Sequence, residues 1–100
     1  MCGIAGEIRF DGQAASVSAV TAMADVLAPR GPDGSGIYAQ GPRAFGHRRL
    51  KIIDLTDHAQ QPMVDSTLGL GIVFNGCIYN YPELREELIA KGYSFFSHGD

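Results

Sequence analysis

Cys2 follows the initiator methionine directly. Removal of Met1, which a small second residue permits, would leave a thiol and a free α-amine on the same residue. An α-amine titrates closer to neutral pH than a lysine does, so a useful part of it can accept a proton at pH 7. Cys2 therefore indicates an N-terminal nucleophile that carries its own base. The alternative is a small apolar cysteine that happens to be second.

Asn75 and Gly76 are a second pair with catalytic potential, and they follow an apolar run. The Asn75 side-chain amide and the Gly76 backbone N–H could point at one spot, as an oxyanion hole requires. Asn-Gly is also the commonest signal for a β-hairpin, so a plain hairpin turn is the alternative.

Arg49 lies in an otherwise apolar, extended run. A guanidinium there could bind a substrate carboxylate through a bidentate fork. The alternative is a surface arginine that shares an exposed position with Arg48 and Lys51.

The histidines and cysteines have no spacing that is typical of a metal site. His47, His58 and His98, with Cys2 and Cys77, contain neither a C-x-x-C nor an H-x-x-x-H pair. We therefore expect ordinary polar roles for the histidines and no metal ion.

Hydrophobic periodicity and turn residues divide the chain into strands and two helices. Residues 2–10, 37–39, 44–53 and 68–75 have strand character, and 93–96 begins another strand. Helical spacing begins at Ser16 or Ser18 and ends at Ala28, and it returns over 80–92, where Leu84, Leu88 and Ile89 are expected to face inward. Residues 30–36 are rich in glycine and predict a loop. This order of elements is typical of an α+β fold or a layered sandwich.

Composition suits one soluble globular domain of 100 residues, 45% hydrophobic and 19% charged. The net charge of -3 gives no electrostatic basis for binding nucleic acid or an anionic membrane. No apolar run is long enough for a membrane helix or a signal peptide, and two cysteines are too few for a disulfide framework, so we expect a cytoplasmic protein. Because a domain seldom ends directly after a turn such as His98-Gly99, we expect the N-terminal part of a longer protein.

Four segments taken together resemble the class II glutamine amidotransferases, which are N-terminal-nucleophile hydrolases that release ammonia from glutamine. The segments read MCGIAG at 1–6, RGPD at 30–33, HRRLKIID at 47–54 and NGCIYN at 75–80. The last three are similar to the asparagine synthetase branch of that family. The resemblance spans the chain from Cys2 to Asp100, and four ordered motifs are far more specific than one.

The resemblance implies a role for each matching residue. Cys2 corresponds to the nucleophile that forms a γ-glutamyl thioester, and Asn75 and Gly76 correspond to the donors of the oxyanion hole. Arg49 corresponds to the ligand of the glutamine α-carboxylate, and Asp100 to the ligand of the α-ammonium group. The backbone of the next residues lines the glutamine pocket: Leu50, Lys51, Ile52 and Ile53. The loop at 30–33 helps to shape the surroundings of the nucleophile.

Cys77 departs from the asparagine synthetase pattern, which carries a glutamate that also faces the ammonium group. A thiol cannot replace that carboxylate, so the pocket that contains Cys77 is expected either to bind glutamine with one fewer charged contact or to have a different shape. Cys77, together with His47-Arg48-Arg49, is more similar to a bacterial branch that amidates a small peptide, the N-acetylglutaminylglutamine amidotransferases.

The resemblance also implies the fold and the partners. The fold is a four-layer αββα sandwich of the N-terminal-nucleophile hydrolase type, of which residues 1–100 form the N-terminal part. This segment needs no cofactor, whereas ATP and Mg are expected in a C-terminal synthetase domain that activates an acceptor carboxylate. The expected partners are glutamine and that domain, with a homodimer left open.

Two alternative functions remain open. One is an N-terminal-nucleophile hydrolase of another amide, against which Arg49 and Asp100 argue because they suit a free amino acid. The other is a non-catalytic module that senses glutamine or gates a partner domain. Retention of Met1 would favour the sensor, since a blocked amine could not act as the base.

Overall fold

A computed structural model describes residues 1–99, and Asp100 lies outside the described residues. Within residues 1–99 the elements are, in chain order, β1 (Gly3–Ile8), α1 (Val17–Val26), β2 (Gly34–Gln40), β3 (Arg43–Arg49), a 3₁₀ turn (Asp57–Ala59), β4 (Met63–Asp65), β5 (Leu70–Ile72) and α2 (Tyr81–Ala90). Helices and antiparallel sheets are mixed, as the α+β prediction requires.

The larger sheet has three antiparallel strands in the order β1-β3-β2. The central strand, β3, pairs Gly46 with Ala5 on one side and with Ile37 on the other. β4 and β5 form a separate two-stranded antiparallel sheet. Because β3 lies between two partners, its C-terminal end at Arg49 is held in a fixed position beside the start of β1.

Helix α1 covers one face of the larger sheet. Ser16 caps its first turn, since the Ser16 hydroxyl accepts a hydrogen bond from the Ala19 amide at 3.2 Å. Val20 and Ala24 are buried against β3, where a Cβ built on Gly46 would lie 3.3 Å from a side-chain atom of each. The missing side chain at Gly46 therefore lets the helix approach the sheet. Full burial of a valine such as Val20 stabilises the fold by about 1.5–3 kcal/mol.

The opposite face of the same sheet is only partly covered. Strand alternation puts Ile4, Phe45, His47 and Arg49 on this face, because paired residues share a face. Residues 60–62 pack close to its β2 side, where a Cβ on Gly36 would lie 2.4 Å from the Gln61 carbonyl oxygen.

Three predicted strands are shorter in the structure than the sequence indicates. β1 begins at Gly3, so Cys2 lies just before the strand instead of being its first residue. β3 ends at Arg49 rather than at residue 53, because the Lys51 amide turns to bind the Asp33 carboxylate at 2.9 Å. Only Leu70–Ile72 of the predicted strand 68–75 is paired.

Other elements also differ from the sequence prediction, some because they lack a local signal and some because a local signal was present without the structure that it indicates. Residues 34–36, predicted as loop, begin β2 because they pair with residues 47–49 of β3. β4 is only three residues long and was missed. Within residues 1–99, the predicted strand at 93–96 does not form. The expectation that Leu84, Leu88 and Ile89 face a core is wrong for the described residues, where they are 37–54% exposed.

The helices found in residues 1–99 do not have the length and apolar character that crossing a membrane requires.

Candidate functional site

A cleft of about 460 Å³ opens beside the end of β3. The segments that line it come from the N-terminus, the stretch after β3, the residues around Gly76 and the segment 94–99. Seven of the predicted site residues line it: Cys2, Arg49, Leu50, Ile52, Ile53, Gly76 and Cys77. Two others, Lys51 and Asn75, do not line the cleft, and Asp100 lies outside the described residues.

Cys2 reaches the cleft because β1 pairs with β3, which places Gly3 opposite Arg48. The Leu50 backbone amide donates a hydrogen bond to the Cys2 sulfur at 3.3 Å, and the thiol contacts the Leu50 carbonyl oxygen at 3.8 Å. The residue is half-buried. The pairing of β1 with β3, two strands that are far apart in sequence, therefore gives the Cys2 sulfur a defined position beside the cleft.

The loop at 30–33 packs against the backbone at Cys2 and at Arg48. Arg30 donates to the Cys2 carbonyl oxygen at 3.2 Å, and Arg48 donates to the Gly31 carbonyl oxygen at 3.0 Å. A Cβ on Gly31 would lie only 2.3 Å from the Arg48 carbonyl carbon. Glycine is thus required at position 31 by the close approach of two backbone segments.

Asp33 ties the other end of this loop to the residues after β3. Its backbone amide donates to the Arg49 carbonyl oxygen at 2.9 Å, and its carboxylate accepts from the Lys51 amide at 2.9 Å. The Lys51 side chain does not line the cleft as Leu50 and Ile52 do, and its ammonium group instead pairs with the Asp57 carboxylate at 3.0 Å.

Arg49 is buried, with 5% of its surface exposed, so the alternative of a surface arginine is wrong. Its guanidinium donates to the backbone carbonyl oxygens of Asp54 and Thr56. A guanidinium carries five N–H donors, so two carbonyl acceptors leave others for a carboxylate in the cleft. The two contacts fix the plane of the group before any substrate binds.

Asp54 is also buried, with 5% of its surface exposed. Its carboxylate accepts hydrogen bonds from the Thr56 hydroxyl at 2.6 Å, the His98 amide at 2.7 Å and the Thr56 amide at 2.8 Å. These bonds, the Thr56 hydroxyl first, lower the pKa of the Asp54 carboxyl. Sequence reasoning placed Asp54 only at the end of a motif; the signal available was one acidic residue closing an apolar run.

Gly76 lines the cleft, but the exposed Asn75 does not, so the structure brings only one of the two predicted oxyanion donors to the cavity. In the described part of the chain no strand follows Gly76 before α2 begins at Tyr81. The hairpin alternative for Asn75-Gly76 is therefore wrong.

His47 supports the segment that leads to Asn75. It is fully buried, and its Nε2 lies 3.2 Å from the Phe74 carbonyl oxygen, so Nε2 carries the proton in this contact. Burial lowers the pKa of His47, the hydrogen bond to Phe74 opposes that change, and the charge of Arg49 adds to the lowering. His47 is thus a neutral histidine of β3 that connects this strand to the segment before Asn75.

The segment 94–99 forms another wall of the cleft, which sequence reasoning did not identify. Arg85 of α2 donates to the carbonyl oxygens of Ser97 at 2.8 Å and Gly99 at 3.1 Å. Its guanidinium also lies 4.6 Å from the centre of the Phe95 ring. α2 therefore positions this wall although none of its own residues is buried.

Among residues 1–99, no group of three or more histidine, cysteine, aspartate or glutamate side chains is placed to hold a metal ion. The expectation of ATP and Mg concerns a domain beyond this segment and stays a prediction.

Comparison of the sequence with known proteins assigns the chain that forms this cleft to a family. The protein-family model described as a glutamine amidotransferase domain matches residues 1–100 of the chain. The chain is 38% identical over 98 residues to glutamine-hydrolyzing asparagine synthetase 3 of Bacillus subtilis, covering 95% of the chain and 16% of that relative. It is 40% identical over 103 residues to asparagine synthetase 1 of the same organism, covering the whole chain and 16% of the relative. With the glutamine-hydrolyzing asparagine synthetase of Brassica oleracea it shares 39% identity over 102 residues, covering the whole chain and 17% of the relative.

The chain therefore spans less than a fifth of the length of these relatives. The family model nevertheless matches it from end to end, and asparagine synthetases align with nearly all of it. The chain accordingly belongs to the class II glutamine amidotransferase domains of the asparagine synthetase type.

Proposed function

We propose that this segment releases ammonia from glutamine with Cys2 as the nucleophile. The observation that carries the proposal is that one cleft contains both the positioned Cys2 sulfur and the buried Arg49. A nucleophile beside a pre-oriented guanidinium suits a substrate with an amide at one end and a carboxylate at the other. Glutamine has both groups on one short chain.

In the proposed reaction the Cys2 thiol attacks the side-chain amide carbon of glutamine. The α-amine of Cys2, freed by removal of Met1, accepts the thiol proton and then returns it to the departing nitrogen as ammonia leaves. The product is a γ-glutamyl thioester, which one water molecule hydrolyses to glutamate and the free thiol.

The developing oxyanion needs hydrogen-bond donors, and Asn75 and Gly76 are our candidates. Gly76 supports this assignment because it lines the same cleft as Cys2. Asn75 would have to turn its side-chain amide towards the cavity when substrate binds, which its exposed position permits. Catalytic hydrogen bonds of this kind often tighten only when substrate is present.

Recognition of a free amino acid, instead of another amide, rests on charges at both ends of the substrate. Arg49 would bind the α-carboxylate, and Asp100 is proposed for the α-ammonium group. The backbone from Leu50 to Ile53, with Cys77, would line the space between. This set of charges is our reason for preferring glutamine over a peptide or another amide.

The proposed fold of the complete domain is the four-layer αββα sandwich. Its support is the face of the larger sheet that α1 does not cover, where Ile4 is 48% exposed and Ile8 is 55% exposed. An apolar sheet face of this kind normally packs on a second layer. We assign that layer to residues of the glutaminase domain that follow this N-terminal part.

For the whole protein we propose that the ammonia supplies an ATP-dependent amidation in a C-terminal synthetase domain. The support is that relatives named glutamine-hydrolyzing asparagine synthetases contain this segment as 16 to 17% of their length. An asparagine-synthetase-type acceptor carboxylate is the proposed target. The similarity of Cys77 to the N-acetylglutaminylglutamine amidotransferases stays a prediction about that acceptor.

Cys2→Ala in the full-length protein tests this function. We expect glutamine hydrolysis and glutamine-dependent synthesis to be lost, while synthesis from added ammonia continues, because the thiol serves only amide cleavage. Both activities are measured on one preparation, so ammonia-dependent synthesis is the control for folding. Equal loss of both activities would give Cys2 a structural role. A wild-type protein that binds glutamine without hydrolysing it would support the sensor alternative.

A further inference from the structure

We propose that Asp54 is a positioning residue that links the carboxylate end and the ammonium end of the glutamine pocket. Its backbone carbonyl holds Arg49, and its side chain holds His98, two residues before Asp100. The inference rests on the proposed function, because it assigns the two ends by the groups of glutamine.

The first half of the link concerns Arg49. β3 ends at this residue, and the chain turns back so that the carbonyl oxygens of Asp54 and Thr56 face the guanidinium. A free arginine side chain has many rotamers, so an arginine that is held before binding loses less entropy when it meets a carboxylate. The turn at 54–56 therefore determines where a substrate carboxylate would bind.

The Asp54 carboxylate stabilises that turn. Its Oδ1 accepts both the backbone amide of Thr56, at 2.8 Å, and the Thr56 hydroxyl, at 2.6 Å. The turn is thus closed by the side chain of the same residue whose carbonyl holds Arg49. Loss of the carboxylate would release Thr56, whose own carbonyl is the other acceptor for Arg49.

The second half of the link uses the other carboxylate oxygen. Oδ2 accepts the backbone amide of His98 at 2.7 Å, across 44 residues of sequence. His98 lies between Ser97 and Gly99, the two residues whose carbonyl oxygens Arg85 holds. The segment 97–99 is therefore fixed by Asp54 at its centre and by Arg85 on both sides of it.

Burial makes these contacts strong. Asp54 is 5% exposed, so water competes little for its oxygens, and charge-assisted hydrogen bonds gain strength where water is excluded. The hydrogen bonds from Thr56 and His98 lower the pKa of the carboxyl, so the group stays ionised even in mildly acidic solution. Asp54 lines the cleft, but its oxygens accept from Thr56 and His98, and this favours a positioning role over direct contact with substrate.

The test compares glutamine with two analogues, glutaric acid monoamide, which lacks the α-amine, and 4-aminobutanamide, which lacks the α-carboxylate. In the full-length protein, Asp54→Ala should lower kcat/KM for glutamine by about tenfold or more through KM, the scale of one hydrogen bond to a charged group. The analogues should lose less, because each already lacks one of the two contacts that Asp54 positions.

Asp54→Asn gives a sharper test with a side chain of the same shape. The amide oxygen can still accept from Thr56, but the NH2 group cannot accept the His98 amide. We expect this variant to lose activity on glutamine while its activity on glutaric acid monoamide stays near that of the wild type. That pattern would assign the long-range bond to the ammonium end.

Asp65→Ala is the matched control. Asp65 also accepts a backbone amide, that of Leu68 at 3.0 Å, but in the turn between β4 and β5 and outside the cleft. The KM of Asp65→Ala for glutamine should match that of the wild type. Ammonia-dependent synthesis should persist in Asp65→Ala and in both Asp54 variants. Equal losses for all three substrates, or an unchanged KM in Asp54→Ala, would overturn the inference. A wild-type protein without glutaminase activity would instead refute the proposed function.

Discussion

The Leu50 backbone amide donates a hydrogen bond to the Cys2 sulfur at 3.3 Å, although 48 residues separate the two in sequence. The contact exists because β1 and β3 are antiparallel neighbours, so the residue before one strand meets the residue after the other. Leu50 also follows Arg49 directly. The positions of Cys2, the proposed nucleophile, and of Arg49, the proposed carboxylate ligand, are thus fixed by one strand pair.

Met1 should be absent from the active protein. The proposed base is the α-amine of Cys2, which exists only after Met1 is removed, and Met1 is 67% exposed and therefore accessible to processing. Intact mass spectrometry of the purified enzyme measures this directly. A fully active preparation that retains Met1 would exclude the α-amine as base.

Asn75→Ala should lower kcat for glutamine hydrolysis by about 10² to 10³, the cost of one lost oxyanion donor. KM should change little if the contact forms only in the transition state. Asn80→Ala is a suitable control, because Asn80 precedes α2 and its side chain makes no capping hydrogen bond. A normal rate in Asn75→Ala would contradict a role for Asn75 in the oxyanion hole and would leave that role to the Gly76 amide.

Gly31→Ala should both destabilise the protein and slow glutamine hydrolysis by Cys2. An added Cβ would lie 2.3 Å from the Arg48 carbonyl carbon, so one of two backbone segments must move. Overpacking of this kind costs about 1–3 kcal/mol, and the displaced loop includes the residue that contacts the Cys2 carbonyl.

The temperature of thermal unfolding and the rate of glutamine hydrolysis should both be lower in Gly31→Ala than in the wild type. Gly71→Ala is the matched control, since its nearest neighbour would be 3.7 Å away and no backbone needs to shift. Equal behaviour of the two variants would contradict the close approach of residues 31 and 48.

His47 should make stability depend on pH in a defined direction. Burial lowers its pKa in the folded state, so the unfolded chain takes up a proton at a higher pH than the folded protein does. The contribution of His47 is complete above its ordinary pKa of 6.5 and is lost as pH falls through the lower folded-state pKa. His47→Gln keeps a donor for Phe74 but cannot titrate, so its unfolding free energy should decline less below pH 6.5. Parallel pH profiles for the two proteins would count against this assignment.

Sequence reasoning identified the residues with chemical potential better than it identified the elements that hold them. Cys2, Arg49 and Gly76 belong to motifs that are readable one by one, and they meet at the cleft. The end of β3 at Arg49 was not predictable, because the apolar run continues to Ile53 while the Asp33 carboxylate, 18 residues earlier, turns the chain at Lys51.

Long-range contacts also explain what was missed at the site. The role of Asp54 depends on its bond to His98, 44 residues away, and no local pattern encodes that pairing. The same is true of Arg85, whose spacing on α2 predicts only a helix position. The exposed leucines of α2 show a second limit of sequence-based prediction. Helical periodicity indicates that a helix has an apolar face, but it does not indicate what covers that face.

The last prediction concerns Cys77, which lines the cleft, and Asp100, the proposed ligand of the glutamine ammonium group. The asparagine synthetase pattern has a glutamate at position 77, so Asp100 here would be the only carboxylate facing the ammonium and would carry more of the binding. Asp100→Asn should therefore raise the KM for glutamine strongly. Cys77→Glu should lower that KM and should partly rescue Asp100→Asn.

Rescue is expected because both carboxylates would address one ammonium group, so the two substitutions should couple in a double-mutant cycle. Cys77→Gln is the matched control: it has the size of the glutamate variant without its charge, and it should give no rescue. If Cys77→Glu raises KM and the effects of the two substitutions simply add, then position 77 does not face the ammonium. Recognition of that end would then depend on the segment 97–99 and on the Asp54 and Arg85 contacts that hold it.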